Sequence, residues 1–431
     1  MKRFRQLVDV RPGEFRPSLL MFGFFFCITT VFQILKPLKK GLFVSQFGAE
    51  KELIAKSINI DVALGATIGF TLLYNAFGPH RLIRLLCIGF LIAFLIFSMV
   101  ITDVPRALAN YAFYIFGDLW STVWIATFWA FLNEISTAEQ SQRLYGFIGL
   151  GGLLGGMAGS ALVGGLVERY SSRPLILVCA VFMGVIWWLT AYSHSLAKQP
   201  VSAMRYRPQR TRLEPVKSSS ALEGARMVLK SKYLMAIVGI LALYEFCSQI
   251  LDFQFSTVLV ANLSHLRNVQ AYLGKLYLVT NILSLVVQVV LTSYLLRRFG
   301  PRAGLIVLPL VMALSSGAFW VEPSLIIGSL LIVSDNSLNY SINQTSRETL
   351  YVPTSSDAQY KARAFTNMFV QRLAKGFAIL TSGTFIWIGI RWLSPLTIVT
   401  TLFWLSVALY AGRHFHQFAA RDALARQERV A

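Results

Sequence analysis

Long apolar stretches separated by short polar stretches dominate this chain. Windows of about 20 apolar residues, the length of an α-helix that crosses a bilayer, recur along its 431 residues. They predict about twelve spans, at 17–35, 58–77, 82–102, 111–132, 144–166, 174–193, 234–256, 273–296, 303–321, 324–343, 364–387 and 393–411. The spans fall six and six, which predicts an N-terminal six-helix bundle at 1–193, a cytoplasmic basic linker at 194–232 and a C-terminal six-helix bundle at 233–431.

Composition gives the same fold class, an all-α integral membrane protein. Apolar residues make up 55% of the chain and charged residues only 14%, whereas a soluble domain carries about 25% charged residues. The basic N-terminal segment leads directly into a full span without a small-residue cleavage site, so no cleavable signal peptide is predicted.

The formal net charge of +20 has an uneven distribution. Basic residues gather in the N-terminal tail, the loops after the second and eighth spans, the linker and the C-terminal tail. With an even number of spans these segments share one side, so the positive-inside rule predicts that both termini are cytoplasmic. Membrane lipid is the expected surrounding partner. No basic groove with interleaved aromatic residues is present, which argues against nucleic acid as a partner.

The chain also carries an internal repeat. The sequence Phe77-Gly78-Pro79 follows the second span and Phe299-Gly300-Pro301 follows the eighth, the same place in each half. The motif itself is typical of a tight turn between helices. Two six-span halves of equal orientation describe the major facilitator architecture, in which the solute binds between the halves and they rock about it.

Three lysines lie where topology does not require them. Lys36, Lys39 and Lys40 follow the first span, at an end where a short outer loop should be poor in basic residues. Pro37 is expected to break or bend the helix there. Such a lysine cluster could bind a polyanion through point charges; alternatively, the lysines extend to the outer headgroups.

Acidic residues lie within or beside the apolar spans as well. Glu134 closes the fourth span and Asp118 lies inside it; Asp252 lies in the seventh span, seven residues after Glu245 and on the same helical face. An ionisable group at membrane depth is by default part of a solute or ion path. Basic residues of the first span or of 361–375 are the expected partners of the seventh-span carboxylates. The alternative is a salt-bridge or packing role without solute contact.

No pattern points to an enzyme, a cofactor or a metal. The glycine-rich stretch 149–165 lacks the GxxxxGK[ST] sequence of a phosphate loop, and its GxxxG spacings favour close helix packing. The four cysteines lie inside spans without metal-ligand spacing and are expected in the core. No nucleophile and base are clustered.

Two segments resemble the bacterial and plastid ATP/ADP translocases, the non-mitochondrial ADP,ATP carrier family. They are DLWSTVWIATFWAFLNEISTAEQSQRLYGFIGLGG and SLNYSINQTSRETLYVPTSSDAQYKARAFTNMFVQRLAKG, and the likeness extends weakly through most of the chain. Residues in register are Asn133, Glu134, Arg143, Tyr145, Gly146, Tyr340, Glu348, Tyr351, Pro353, Lys361, Arg363, Arg372 and Lys375. The chain departs from the family pattern at 36–40, where the family has Arg-Asp-Thr-Lys-Asp, and at Asp252 and 255–256, where it has Glu and Trp-Lys.

The resemblance implies a secondary transporter of nucleotides or a related phosphorylated anion that works by alternating access, functions as a monomer and lies in a bacterial inner membrane. In this hypothesis Lys39, Lys361 and Arg363 engage phosphates, while Glu134 and Asp252 pair with those cations in the empty protein. Further candidate site residues are Lys36, Lys40, Asp118, Arg143, Glu245, Glu348, Arg372 and Lys375. One alternative is a proton-driven symporter of another anionic metabolite, with Glu134 or Asp252 as proton carrier. Another is a membrane regulatory protein that has lost transport.

Overall fold

The computed structural model describes residues 14–101, 106–136, 138–197, 218–351, 354, 362–363 and 365–430, and these residues are helical almost throughout. The α-helices are α1 Phe15–Phe77, α2 Pro79–Val100, α3 Ala107–Ile135, α4 Ala138–Tyr170, α5 Ser172–Ala197, α6 Ser218–Lys230, α7 Lys232–Asn262, α8 Leu266–Val286, α9 Ser293–Val321, α10 Leu325–Leu338, α11 Gln344–Leu350, α12 Gln371–Phe385 and α13 Leu393–Val430. Segments of π-helix at Val287–Thr292, Asn339–Asn343 and Thr366–Val370 and a 3₁₀ turn at Ile390–Trp392 join some of them.

Among the described residues, ten helices are long and apolar enough to cross a membrane. The first, α1, has 63 residues and covers both the first and the second predicted span. At 1.5 Å per residue its path is about 95 Å, several times the hydrocarbon thickness of about 30 Å. The predicted eleventh span corresponds to Thr366–Val370 followed by α12. The protein is therefore a multi-pass, all-helical membrane protein, as the hydropathy pattern predicts.

The prediction of a break at Pro37 is wrong. Helix α1 continues through Pro37, and its non-helical backbone lies instead at Gly48, with φ 81° and ψ 168°. Membrane helices tolerate proline when neighbouring groups satisfy the freed carbonyl. Glycine accepts the positive φ of this break because it has no Cβ. Lys36, Lys39 and Lys40 consequently lie within a continuous helix and not at its end.

The chain divides into two compact units. Unit 1 comprises Met1–Phe47, Ile58–Pro215 and Leu263–Leu278, and unit 2 comprises Gly48–Ser57, Val216–Asn262 and Val279–Ala431. The predicted bundles at 1–193 and 233–431 and linker at 194–232 stay a prediction. Much of that linker lies outside the described residues, and Ser218–Lys230 within it form α6.

Aromatic side chains and a glycine face hold unit 1 together. Phe25 of α1 stacks on Phe128 of α3 with ring centroids 4.3 Å apart. On α4, a Cβ at Gly155 would contact the backbone of Phe26, with 2.9 Å to its carbonyl carbon. The hydroxyl of Thr30 also donates to the Gly155 carbonyl at 3.2 Å. The predicted packing role of the glycine stretch is confirmed: α1 and α4 approach closely because side chains are missing there.

Unit 2 is built around α7, which packs against α10, α12 and α13, while α9 packs against α13. The fully buried Trp404 of α13 lies beside Tyr244 of α7, with ring centroids 6.0 Å apart. The amide of Gln254 donates to the Ser394 hydroxyl and to the Ile390 carbonyl, both at 3.0 Å. These contacts give α7 partners along much of its length.

The repeated Phe-Gly-Pro motif has the same backbone in both units. Gly78 has φ 72° and ψ 166°, and Gly300 has φ 71° and ψ 179°. This region of dihedral space is essentially restricted to glycine. Proline follows each glycine and opens the next helical segment, a position where its missing N–H costs nothing. The predicted turns are confirmed, and their equal geometry agrees with the internal repeat.

Candidate functional site

Lys39 is the centre of a polar cluster inside unit 1. The residue is 9% exposed, and its ammonium group forms an ion pair with Asp118 of α3. The amide of Asn59 donates to the other carboxylate oxygen of Asp118. The Lys39 ammonium also lies 4.8 Å from the ring centroid of Tyr114. A lysine held away from bulk water by one carboxylate and one ring is well suited to exchange that carboxylate for another anion.

The two neighbouring lysines reinforce this positive region. Lys40 is 5% exposed, and the Lys36 ammonium lies 4.2 Å from the ring centroid of Tyr277, also in unit 1. The stem of Lys39 passes over Gly117 of α3, where a Cβ would lie 2.7 Å from the lysine Cδ. The burial of Lys39 and Lys40 favours a role inside the protein over extension to headgroups.

In unit 2, Asp252 belongs to a second, partly buried cluster. Asp252 pairs with Lys56, whose ammonium also lies 3.7 Å from Glu52 one turn earlier in α1. Glu52 is 2% exposed and accepts a 2.9 Å hydrogen bond from Ser256. Ser256 is one of the departures from the family pattern. One lysine thus lies between two carboxylates, an arrangement that anion binding could rearrange.

Glu245 has the partner that the sequence indicated. Its carboxylate lies 3.5 Å from the ammonium of Lys375, in α12. Arg372 lies half-buried on the same helix. The carboxylates of Glu245 and Asp252 therefore have different cations, from α12 and from α1.

The second family-like segment brings three of its residues together. Arg363 forms a 2.7 Å ion pair with Glu348, and both side chains are about half exposed. The Arg363 guanidinium also lies 4.8 Å from the ring centroid of Tyr351. The result is a partly solvated cation that an anion could reach.

Arg143 has a structural environment. Its guanidinium donates two 3.0 Å hydrogen bonds to the two oxygens of Glu14, which is also bonded by Gln140 at 3.2 Å. Nearby, the Tyr145 hydroxyl donates to Asn133 at 2.7 Å, connecting the end of α3 to α4. These contacts fasten the start of α1 and the α3–α4 connection.

Two predicted residues lie outside the described part of the structure. They are Lys361 and the side chain of Glu134, whose backbone lies in α3. The predicted pairs of Glu134 and Asp252 with Lys39, Lys361 and Arg363 stay a prediction. Among the described side chains, Lys39 pairs with Asp118, Asp252 with Lys56 and Arg363 with Glu348. Sequence separation did not reveal these partners, which come together only through helix packing.

Several polar residues of these clusters escaped the sequence reasoning. They are Glu52, Lys56 and Asn59, which follow the break at Gly48. Hydropathy places the first two in a loop and the third in the second predicted span. Their spacing carries a usable signal: Glu52, Lys56 and Asn59 recur every three or four residues and so share one helical face. Glu14 gave no such signal, because it precedes the first span as an ordinary terminal charge.

Comparison with known proteins gives a family match over most of the chain. The model of the family described as TLC ATP/ADP transporter matches residues 1–111 and 106–323. ADP,ATP carrier protein 1 of Chlamydia pneumoniae is 21% identical, covering 98% of this chain and 95% of that protein. ADP,ATP carrier protein 4 of Rickettsia felis is 23% identical over 94% of this chain and 93% of that protein. The chloroplastic ADP,ATP carrier protein 2 of Arabidopsis thaliana is 22% identical, covering 94% of this chain and 75% of that protein.

Solved structures are similar in fold at low identity. A mutant form of the nucleoside transporter NupG superposes with a TM-score of 0.62 at 13% identity, covering 93% of this chain and 99% of that one. The inward-open xylose transporter XylE from E. coli gives a TM-score of 0.58 at 14% identity, covering 92% of this chain and 95% of that one. These likenesses confirm the predicted major-facilitator-like fold.

Proposed function

Because the chain belongs to the TLC ATP/ADP transporter family, we propose that it moves nucleotides of the ATP/ADP type across the membrane by alternating access. It is a secondary transporter and not an enzyme, as its family indicates. The observation that carries the phosphate-binding part of the proposal is the ion pair between the buried Lys39 and the partly exposed Asp118.

The geometry suggests how a polyphosphate would be recognised. Asp118 pairs with Lys39 and thereby offsets part of the cost of a buried lysine charge. A nucleotide phosphate offers the same charge with more acceptor oxygens, so it can take over the lysine. In unit 2, Lys56, Arg363 and Lys375 are likewise held by carboxylates and are available for the same exchange.

Exchange of ion-pair partners would also couple nucleotide binding to the conformational change of the transporter. A solute shifts a conformational equilibrium only by its difference in affinity for the two states. If the carboxylates released by phosphate find new partners in only one state, nucleotide binding favours that state. Glu134 and Lys361 belong to this proposal as the sequence-based candidates for such partners.

We further propose a bacterial inner-membrane location with both termini in the cytoplasm. The support is the bias of basic residues toward the tails, the linker and the loops on one predicted side. A single copy in lipid is the proposed functional form, because both units belong to one chain.

The test is uptake of labelled ATP into liposomes that contain the purified full chain. Separate batches are preloaded with ADP, ATP, phosphate or buffer, and protein-free liposomes report leakage. We expect uptake above leakage, increased by internal nucleotide. Monodisperse, folded protein that gives no uptake with any of the four loadings would exclude nucleotide transport.

A further inference from the structure

Asp335 is a buried carboxyl group that none of the ion-pair clusters described above uses. It lies in α10 and is 2% exposed. It is ten residues from the start of the 26-residue candidate span Leu325–Leu350. This is about 15 Å along the helix axis, close to the middle of a hydrocarbon core about 30 Å thick. An acidic residue at this depth is a candidate for an ion or proton path.

The immediate partner of Asp335 suits a group that changes its protonation state. The Ser248 hydroxyl of α7 donates to a carboxylate oxygen of Asp335 at 2.6 Å. A hydroxyl donates to a carboxylate in a charge-assisted bond, which is the stronger of the two arrangements, and it can also accept from a protonated carboxyl group by rotating its hydrogen. The hydrogen bond between Ser248 and Asp335 can therefore persist with the carboxyl group charged or neutral.

The titratable groups around Asp335 come mainly from α7. Tyr244, Cys247 and Tyr340 all lie within electrostatic range of its carboxylate, and both tyrosines are also within range of Glu245. Glu245 in turn is paired with Lys375 of α12.

The other helix packed against α10 contributes no charge at this level. That helix is α9, and residues 303–321 within it contain no ionisable side chain.

Backbone geometry next to Asp335 is also unusual. The α-helical hydrogen bonding of α10 ends at Leu338, and Asn339–Asn343 form a π-helical segment. Such segments often occur at functional sites inside helices. Asn339 lies one turn beyond Asp335 and accepts a 3.0 Å hydrogen bond from Asn343, which extends the buried polar row along the span.

From this arrangement we infer that Asp335 binds a proton during the transport cycle and couples nucleotide movement to the pH gradient. The inference rests on the proposed nucleotide transport. In the step, a proton from water on one side forms the O–H bond of the Asp335 carboxyl group, and that bond breaks to release the proton to water on the other side. The group alternates between charges of −1 and 0, and no other bond changes.

The experiment uses liposomes containing the full chain and a pH-sensitive dye inside. For wild type, we expect ATP uptake to be accompanied by proton movement and increased by an imposed pH gradient. A gradient of one pH unit corresponds to about a tenfold concentration ratio for each proton moved. Asp335→Asn should lose proton movement and gradient-driven accumulation, while ATP/ADP exchange without a gradient stays within about twofold of wild type. Asp335→Glu should restore the gradient response.

Two more variants make the result specific. Glu168→Gln removes an exposed carboxylate that pairs with Lys275 and should leave proton movement unchanged. Ser248→Ala keeps the Asp335 carboxyl group but removes the donor that favours its charged form, so the pH of half-maximal driven uptake should rise. This small substitution tests the inference even if Asp335→Asn fails to fold.

The outcomes separate the inference from the proposed function. Wild-type exchange without proton movement would overturn the role of Asp335 and leave nucleotide transport intact. Proton coupling that is unchanged in Asp335→Asn, or a pH midpoint that does not move in Ser248→Ala, would also overturn it. No transport by folded wild type under any loading would remove both.

Discussion

At the scale of residues, Lys39 and Lys56 each form an ion pair with a carboxylate inside the helical bundle of their unit. Lys39 and Asp118 were recognisable in the sequence because each places a charge where membrane topology does not require one. Their mutual contact was not recognisable, since 79 positions separate them and only the packing of α1 on α3 joins them. Asp335 shows the same limit. Its position inside a predicted span follows from the sequence, but its hydrogen bond with Ser248 does not.

Replacing Lys39 by glutamine should weaken nucleotide uptake. A contact to a charged group is worth about 1.5–3 kcal/mol, so Lys39→Gln should raise the ATP concentration for half-maximal uptake by about tenfold or more. Titration of initial uptake rates in liposomes measures this change. The matched control is Lys230→Gln, which neutralises an exposed lysine of α6. Equal concentration dependence in both variants would contradict phosphate binding by Lys39.

At the scale of elements, the sequence predicted helices well and their interruptions poorly. Apolar windows located the spans because the bilayer allows only helices with satisfied backbones there. The break in α1 was assigned to Pro37, but neighbouring groups can compensate for a missing N–H, whereas the backbone at Gly48 departs from helical dihedrals altogether. The GxxxG spacing gave a correct prediction because close helix approach depends on the residues themselves.

Adding a methyl group at Gly155 should destabilise the protein. The new Cβ would overlap the backbone of Phe26, and backbone cannot move aside as a side chain can. Overpacking of this kind costs about 1–3 kcal/mol, so Gly155→Ala should lower the midpoint of thermal unfolding in detergent. On the same helix, Gly149 has open space around its Cβ position. Gly149→Ala should leave the midpoint unchanged or raise it, since alanine favours helix; equal effects would contradict the packing role.

At the scale of the whole molecule, nucleotide binding should stabilise the folded state through the phosphates. A ligand at 100 times its Kd adds about 2.7 kcal/mol to the stability of the form that binds it. ATP and ADP should therefore raise the unfolding midpoint of the purified protein, while adenosine, which lacks phosphate, should raise it much less. A thermal-shift series with these three compounds provides the measurement. An equal shift from adenosine would show that the protein recognises the base and sugar, and it would contradict phosphate recognition by the buried lysines.

Hydropathy and charge bias were sufficient for the class, the span positions and the facilitator-like fold, because these follow from the bilayer as a solvent. They could not define the two compact units. Whether a stretch such as Gly48–Ser57 packs with one set of helices or the other depends on side-chain contacts, here those of Glu52 and Lys56.

Each compact unit includes one short segment from the other half of the chain, and this matters if the protein is expressed as two separate fragments. A cut between α5 and α7 leaves Gly48–Ser57, a piece of unit 2, on the N-terminal fragment. It leaves Leu263–Leu278, a piece of unit 1, on the C-terminal fragment. Neither fragment alone therefore contains all the segments of one compact unit, and we expect that the two must be synthesised together to complement each other.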